Sequence, residues 1–217
     1  MQSQLWEKAV TYAAIGATQS PDLLRYPPAG YRPIERRRRI GHGDARYEYA
    51  SMAALTWGIQ RNSGFSVHLT DAPPEVTEQS YVPVSFDESG QPIAPATIDD
   101  DEVVYSGEGA KIVAPGDSAL LGIMFGLIKF PVRVIYVVDE PRRKGFAYGT
   151  LPGHPEDGEE CWMVEQRDDD SVWITIRAFS RPSSRWWWAV YPALRIAQAY
   201  YTNRYLGALA GPIPEST

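Results

Sequence analysis

Between Tyr148 and Glu160 the chain reads Tyr-Gly-Thr-Leu-Pro-Gly-His-Pro-Glu-Asp-Gly-Glu-Glu, one imidazole set among four carboxylates and two hydroxyls. His154 sits between Gly153 and Pro155, with Glu156 two residues on and Glu159 and Glu160 just beyond. An imidazole titrates near neutrality, so His154 oriented by a glutamate has the makings of a general base or acid, with Tyr148 or Thr150 as a nearby hydroxyl. The same ring can instead close the loop by bonding a backbone carbonyl. Glu159 and Glu160 are neighbours, and neighbours on a strand point to opposite faces, so at most one of them enters a cavity. A carboxyl buried there has a raised pKa unless paired, and Arg177 and Arg181 are the available partners. No metal site is expected, because one imidazole and several carboxylates lack two firm ligands at a recognised spacing.

Other reactive groups carry less. Cys161 is either a nucleophile beside His154 or a small buried hydrophobe, since it falls inside a strand-like run. Without a Gly-x-Ser-x-Gly elbow, a Walker loop or a dinucleotide fingerprint, no cofactor is expected. Gly41-His42-Gly43 reads as a turn, and the acidic run Asp99 to Glu102 lacks the ligand spacing of a calcium loop. Trp186, Trp187, Trp188 and Tyr191 either gate a pocket or touch a membrane or partner surface. Three successive tryptophans span most of a helix circumference, so at least one is expected to be exposed.

The elements that hold these residues follow from periodicity. From Val103 to Ser180 the pattern is almost continuous β, including Val103–Tyr105, Ala110–Val113, Ala119–Phe130, Val132–Val138 with a turn near Pro131, Lys144–Leu151, Cys161–Gln166 and Val172–Ser180. The connections among them are too short for helical crossovers, which makes neighbouring strands antiparallel. In the last run Val172, Ile174, Ile176 and Ala178 form one face and Trp173, Thr175, Arg177 and Phe179 the other. Phe65–Leu69 and Tyr81–Phe86 are further short strands. Asp44, as N-cap, opens an amphipathic helix to Asn62 on Tyr47, Ala50, Ala54 and Trp57. Four arginines, Arg36 to Arg39, read as a solvated strand edge. Residues 1–31 are an irregular N-terminal arm and 87–102 a flexible acidic insertion. A helix over 184–210 ends the chain, with Pro192 in its first turn and Leu194, Ala197, Tyr201, Tyr205 and Ala208 as its stripe.

The whole of 1–217 is therefore expected to be a single α+β domain, a curved antiparallel β-sheet wrapped on a long C-terminal helix, helix-grip or START-like by analogy of element order. A net charge of −6 argues against a nucleic-acid surface. The apolar window Ala119 to Val138 is broken by Lys129, Pro131 and Arg133, so stable membrane insertion is not expected. One cysteine and no recognisable leader read as a cytoplasmic protein.

Tyr12 with Gly16-Ala17-Thr18, Pro27-Pro28-Ala29-Gly30-Tyr31, Gly41-His42-Gly43 and Trp57 match a known pattern, as do Tyr136 to Glu140, Phe146 to Pro155, Gly158-Glu159-Glu160 and Phe179 to Pro182. On these segments nearly the whole chain resembles uncharacterised protein family 0548, a domain-of-unknown-function family. Ala29 and the insertion around Asp99 depart from that pattern. The resemblance implies no activity and assigns no catalytic residue. The residues themselves suggest a binder of a small lipophilic ligand in a sheet–helix cavity, lined by Tyr148, Thr150, His154, Glu159 and Trp187. An enzyme of cyclase or hydrolase type, with catalytic His154 as acid or base in that pocket, is the alternative. A protein-interaction module built on exposed tryptophans is a third reading. Oligomeric state is left open.

Overall fold

Strands separated by connections of a few residues can pair only with reversed direction, and seven of them form one antiparallel sheet. The computed structural model describes residues 5–70, 85–86, 92–93, 110–123, 126 and 128–214. In chain order the strands are β1 (Arg32–His42), β2 (Ser66–Thr70), β3 (Ser85–Phe86), β4 (Pro92–Ile93), β5 (Ser118–Ile123), β6 (Ile128–Glu140), β7 (Arg143–Thr150), β8 (Glu156–Gln166) and β9 (Ser171–Pro182). β3 and β4 pair with each other alone; the other seven lie in the order β1-β9-β8-β7-β6-β5-β2. The run from β5 to β9 is thus a meander, with β1 and β2 added at its two edges. The edges do not pair with each other, so the sheet stays open. Arg36 to Arg39 are all exposed on edge strand β1, where charge discourages pairing with another chain.

The helices are α1 (Asp44–Leu55), α2 (Gly58–Asn62), α3 (Arg185–Ala189) and α4 (Tyr191–Gly207). α1, α2 and α4 cover one face of the sheet: Tyr47, Ala54, Trp57 and Ile59 from the first pair and Tyr205, Leu206 and Leu209 from the C-terminal end share a core with Phe146, Trp162, Ile174 and Ile176. Alternation carries the other side chains of the same strands to the opposite face. There Tyr136, Ala147, Cys161 and Met163 form one cluster. Phe179 joins Tyr12 and Leu23 of the N-terminal arm in another. The domain is α+β, with helices on one face of the sheet and the arm on the other. Each fully buried side chain such as Trp162 or Phe146 contributes roughly 2–3 kcal/mol of hydrophobic stabilisation.

Several boundaries differ from the sequence reading. The turn expected near Pro131 is at Gly126, whose φ of 82° suits a residue without Cβ, and Pro131 lies inside β6 opposite Leu120. A strand residue presents its N–H and C=O to the same side. The Pro131 carbonyl accepts from Leu151 N at 3.0 Å, so the missing N–H faces the same point, just past the end of the β6–β7 ladder. Leu151 O, left without that donor, accepts from His154 N at 3.1 Å.

Asp44 is a first-turn helical residue rather than the N-cap; Gly43 occupies the cap, and the Asp44 carboxylate accepts instead from Gln166 Nε2 at 2.8 Å. The helix expected to run to Asn62 breaks at Trp57, which adopts φ 62°. This turn drives the Trp57 ring into the core, 4.7 Å from Phe146 and 6.0 Å from Tyr148. Ala110 to Val113 form no strand. The C-terminal helix divides at Val190 into α3 and α4, and Ala197 of the expected stripe is exposed. Val103–Tyr105, most of Tyr81–Phe86 and most of the acidic insertion 87–102 lie outside the described residues.

Candidate functional site

β8 carries Glu159 and Glu160 to opposite faces, as neighbours on a strand must go, and the two faces give them different lives. Glu160 stands opposite Tyr148 of β7, on the helix-covered side. The Tyr148 hydroxyl donates to Glu160 Oε2 at 3.4 Å and lies beside Tyr205 of α4. Burial, assisted by the nearby Glu156 carboxylate, pushes the Glu160 carboxyl up to about 8 despite the Tyr148 bond. At neutral pH this side chain is chiefly an uncharged acid, able to donate as well as accept.

The cluster extends along the end of the sheet. Ser180 Oγ of β9 donates to Glu156 Oε1 at 3.1 Å and accepts from Gln198 Nε2 of α4 at 3.2 Å. Burial raises the Glu156 carboxyl, while Ser180 and the Arg195 guanidinium favour its charge. Among the described residues Arg195 Nη1 is buried without a hydrogen-bond partner. Gln198 and Arg195 are three residues apart on α4, so both fall on one side of the helix. The sequence reading did not name Arg195 or Gln198, and it placed Tyr205 only in the stripe of the C-terminal helix and Ser180 only at a strand end. The i, i+3 polar pair within the apolar first half of that helix was the signal for Arg195 and Gln198.

His154 belongs to the same end of the molecule through its packing. Its ring lies 5.4 Å from Phe130, Phe130 lies 6.1 Å from Phe65, and Phe65 stacks 5.7 Å from Tyr205. Nδ1 accepts from Glu156 N at 3.0 Å and lies 2.8 Å from Glu156 O, so the Glu156 main chain, not its carboxylate, orients the ring. Burial lowers the imidazole to about 4, which keeps it neutral at physiological pH.

Glu159 is on the other face and 2% exposed. It accepts from Tyr12 Oη at 2.8 Å, Gly16 N at 2.7 Å, Thr18 N at 3.0 Å and the Thr18 hydroxyl. Thr18 Oγ1 in turn lies 2.7 Å from Tyr136 Oη. Buried polar oxygens need hydrogen-bond partners, and here those partners fasten the N-terminal arm to the sheet. Arg177 and Arg181, the partners expected for a buried glutamate, pair instead with Glu35 at 3.2 Å and Asp157 at 3.6 Å. Thr150 ties strand ends together: its Oγ1 accepts from Gly158 N at 3.0 Å and lies 2.6 Å from Thr11 Oγ1. Trp187, in α3, is partly buried, its main-chain N–H donating to Oγ of the Ser184 cap at 3.4 Å. Tyr148 and His154 therefore share the helix-covered face with Glu160, Glu159 lies across the sheet from them, and Thr150 is taken up by strand-end bonds.

Cys161 is buried among Tyr136, Ala147 and Met163, and burial pushes its thiol up to about 12, which leaves almost no thiolate at neutral pH. It also stands on the Glu159 face, away from Glu160. The centre of the sheet–helix space is filled by Trp57, Phe146, Tyr148, Trp162 and Tyr205, in contact through rings 4.6–6.0 Å apart. A depression of about 260 Å³ on the opposite face is floored by Cys161 and Met163 and rimmed by Arg37, Arg143 and Arg177. Among the described residues no group of three or more His, Cys, Asp or Glu converges as a metal would require. No described helix is long and apolar enough to cross a membrane.

Comparison with known proteins gives relatives without an assigned activity. A UPF0548 protein of Deinococcus radiodurans is 47% identical over 66 residues, 30% of this chain and 30% of that protein. A UPF0548 protein of Arabidopsis thaliana is 32% identical over 83 residues, 35% of this chain and 40% of that protein. The matched segments thus span less than half of either relative. Among solved structures, a hypothetical protein from Helicobacter pylori superposes with a TM-score of 0.49 at 10% identity, covering 97% of both chains. Ara h 8.0201 gives 0.40 at 7% identity, covering 84% of this chain and all (100%) of that one. The family model described as Domain of unknown function (DUF1990) matches residues 11–98 and 85–208, which together reach from the arm that Glu159 fastens to the end of α4, and the chain belongs to that family.

Proposed function

We propose that the protein binds a small, largely apolar ligand at the polar end of the sheet–helix core, where Glu160, Tyr148 and Arg195 orient it. The observation that carries this reading is Arg195 Nη1, a guanidinium nitrogen buried without a hydrogen-bond partner among the described residues. Burial of such a donor is costly unless something accepts from it. Glu160 adds a second unspent group: Tyr148 donates to one of its oxygens, and the acid proton on the other is available to a ligand carbonyl or carboxylate. The aromatic series from His154 through Phe130 and Phe65 to Tyr205 supplies apolar wall for the ligand's body. The packed centre of the core supports a ligand seated at this end rather than one enclosed mid-sheet.

Native mass spectrometry of the purified chain, compared with its denatured mass, reveals any co-purified adduct. Titration with 1-anilinonaphthalene-8-sulfonate, an aromatic anion suited to Arg195 and the ring series, measures the site directly. The expected results are saturable probe binding, weakened in Arg195→Leu and Glu160→Gln while the fold is kept. A clean apo mass together with no saturable probe binding overturns the reading.

A second reading, an enzyme of cyclase or hydrolase type in the same pocket, draws on the Glu160 carboxyl near 8. An acid that exchanges its proton near working pH is matched to general acid catalysis. Glu160 suits that role better than His154, whose Nδ1 is engaged by the Glu156 main chain. Hydrolysis of aryl esters by the wild type, abolished in Glu160→Gln and retained in His154→Asn, would support it.

A further inference from the structure

We infer that the face formed by α3 and α4 docks on the surface of an anionic phospholipid bilayer. Trp186 is 71% exposed, Trp188 55%, Ile196 73% and Tyr200 54%, a concentration of large apolar side chains in water within fifteen residues of sequence. Ile196 and Tyr200 are one turn apart on α4, and Pro192, Ala199 and Asn203, exposed beside them, continue the same stripe. Trp187, between the two exposed tryptophans, is partly buried, so α3 rests on the domain by its middle ring and offers the two flanking rings outward.

Charge decides what covers this face. The chain carries 27 Asp and Glu and a net charge of −6, yet from Ser183 to Pro214 it has no acidic residue and three arginines, Arg185, Arg195 and Arg204. Arg185 and Arg204 are exposed, and Arg204 lies 5.8 Å from the Tyr200 ring centre and donates to its hydroxyl at 3.1 Å. Tryptophan and tyrosine rings settle at the headgroup level of a bilayer, and arginines among them are attracted by anionic headgroups. The rest of the chain has 18 Lys and Arg against 27 Asp and Glu and is repelled on average by the same lipids; its own basic strip, Arg36 to Arg39 on the edge of β1, contains no tryptophan. The depressions around Glu140–Arg143 and over Cys161 include none of these residues. The inference is independent of the ligand site under α4.

The test is co-sedimentation of the full chain with vesicles of phosphatidylcholine alone and of phosphatidylcholine containing one-third phosphatidylglycerol, read together with the tryptophan emission shift. Binding is expected to the anionic vesicles, to weaken as salt is raised, and to fall about fivefold in Arg185→Ala. The Trp186→Ser/Trp188→Ser variant is expected to lose at least about tenfold in affinity while keeping the wild-type circular dichroism and unfolding midpoint. Should that variant fold poorly, quenching of wild-type tryptophan emission by brominated phosphatidylglycerol decides the point. No sedimentation with either vesicle overturns the inference, as does vesicle binding unchanged in a folded double variant. A dimer seen by light scattering and abolished by the double substitution, without vesicle binding, overturns it in favour of pairing between copies.

Discussion

Replacing Glu160 with glutamine keeps the shape and the acceptor for Tyr148 but removes the ionisation. Burial beside Glu156 moves this carboxyl from its ordinary 4.5 to about 8. Between those values the folded chain holds a proton that the unfolded chain has released, so stability falls as pH rises through the window. At about 1.4 kcal/mol per pH unit the ceiling is about 5 kcal/mol above pH 8, and relaxation with water entry brings the expected figure to about 2–4 kcal/mol. His154 works in the opposite sense. Its imidazole is lowered from 6.5 to about 4, so the unfolded chain takes up a proton first and stability is lost as pH falls through that range. Glu160 and His154 oppose each other from about pH 4.5 to 6.5, and from about 6.5 to 8 only the Glu160 decline is left. Glu156, also raised by burial, contributes equally to both proteins and cancels in the comparison. Urea unfolding at pH 4 should find wild type and Glu160→Gln within about 0.5 kcal/mol, and at pH 9 the variant more stable by about 2–4 kcal/mol. Parallel pH profiles for the two proteins would refute the buried-acid reasoning.

Truncating Glu159 to alanine strands the Tyr12, Gly16 and Thr18 donors; a loss of about 3 kcal/mol in urea unfolding and early proteolysis before Ser20 are expected. A loss under about 1 kcal/mol would show that the arm is held by apolar packing instead. Gly158→Ala sets a Cβ 2.0 Å from Phe179 O at φ 152°, against backbone that cannot yield. Destabilisation of about 3 kcal/mol or more, or insoluble expression, is expected, and a wild-type melting curve would contradict it. Cys161, 2% exposed with its thiol pushed up to about 12, should resist dithiobis-nitrobenzoate in the native state and react fully in denaturant; prompt native reaction would revive it as a nucleophile.

Much of the architecture was legible in local pattern. Val172, Ile174 and Ile176 enter the main core and Phe179 the opposite cluster, because a period of two needs only the chain's own geometry. The stripe of Tyr47, Ala50 and Ala54 on α1 was readable for the same reason, and all three are buried. Pro131 misled because a proline signals a turn unless its missing donor falls beyond the end of a ladder, and that depends on where β7 stops. Trp57 misled because its left-handed backbone follows from what the ring packs against, Phe146 and Tyr148, which are far along the chain.

The candidate site divides in the same way. That Glu159 and Glu160 point apart is a property of any strand, and the loop from Tyr148 to Glu160 stood out by residue type alone. Glu159 meets the donors of Tyr12, Gly16 and Thr18 through contacts between segments more than a hundred residues apart, and Glu160 meets Tyr148 through the pairing of β7 with β8 and Tyr205 through the packing of α4. Sequence determines the alternation, since alternation is local. Only the packed tertiary structure decides that one carboxyl is a clasp for the N-terminal arm and its neighbour an uncharged acid, because desolvation and hydrogen-bond supply belong to the surroundings and not to the residue.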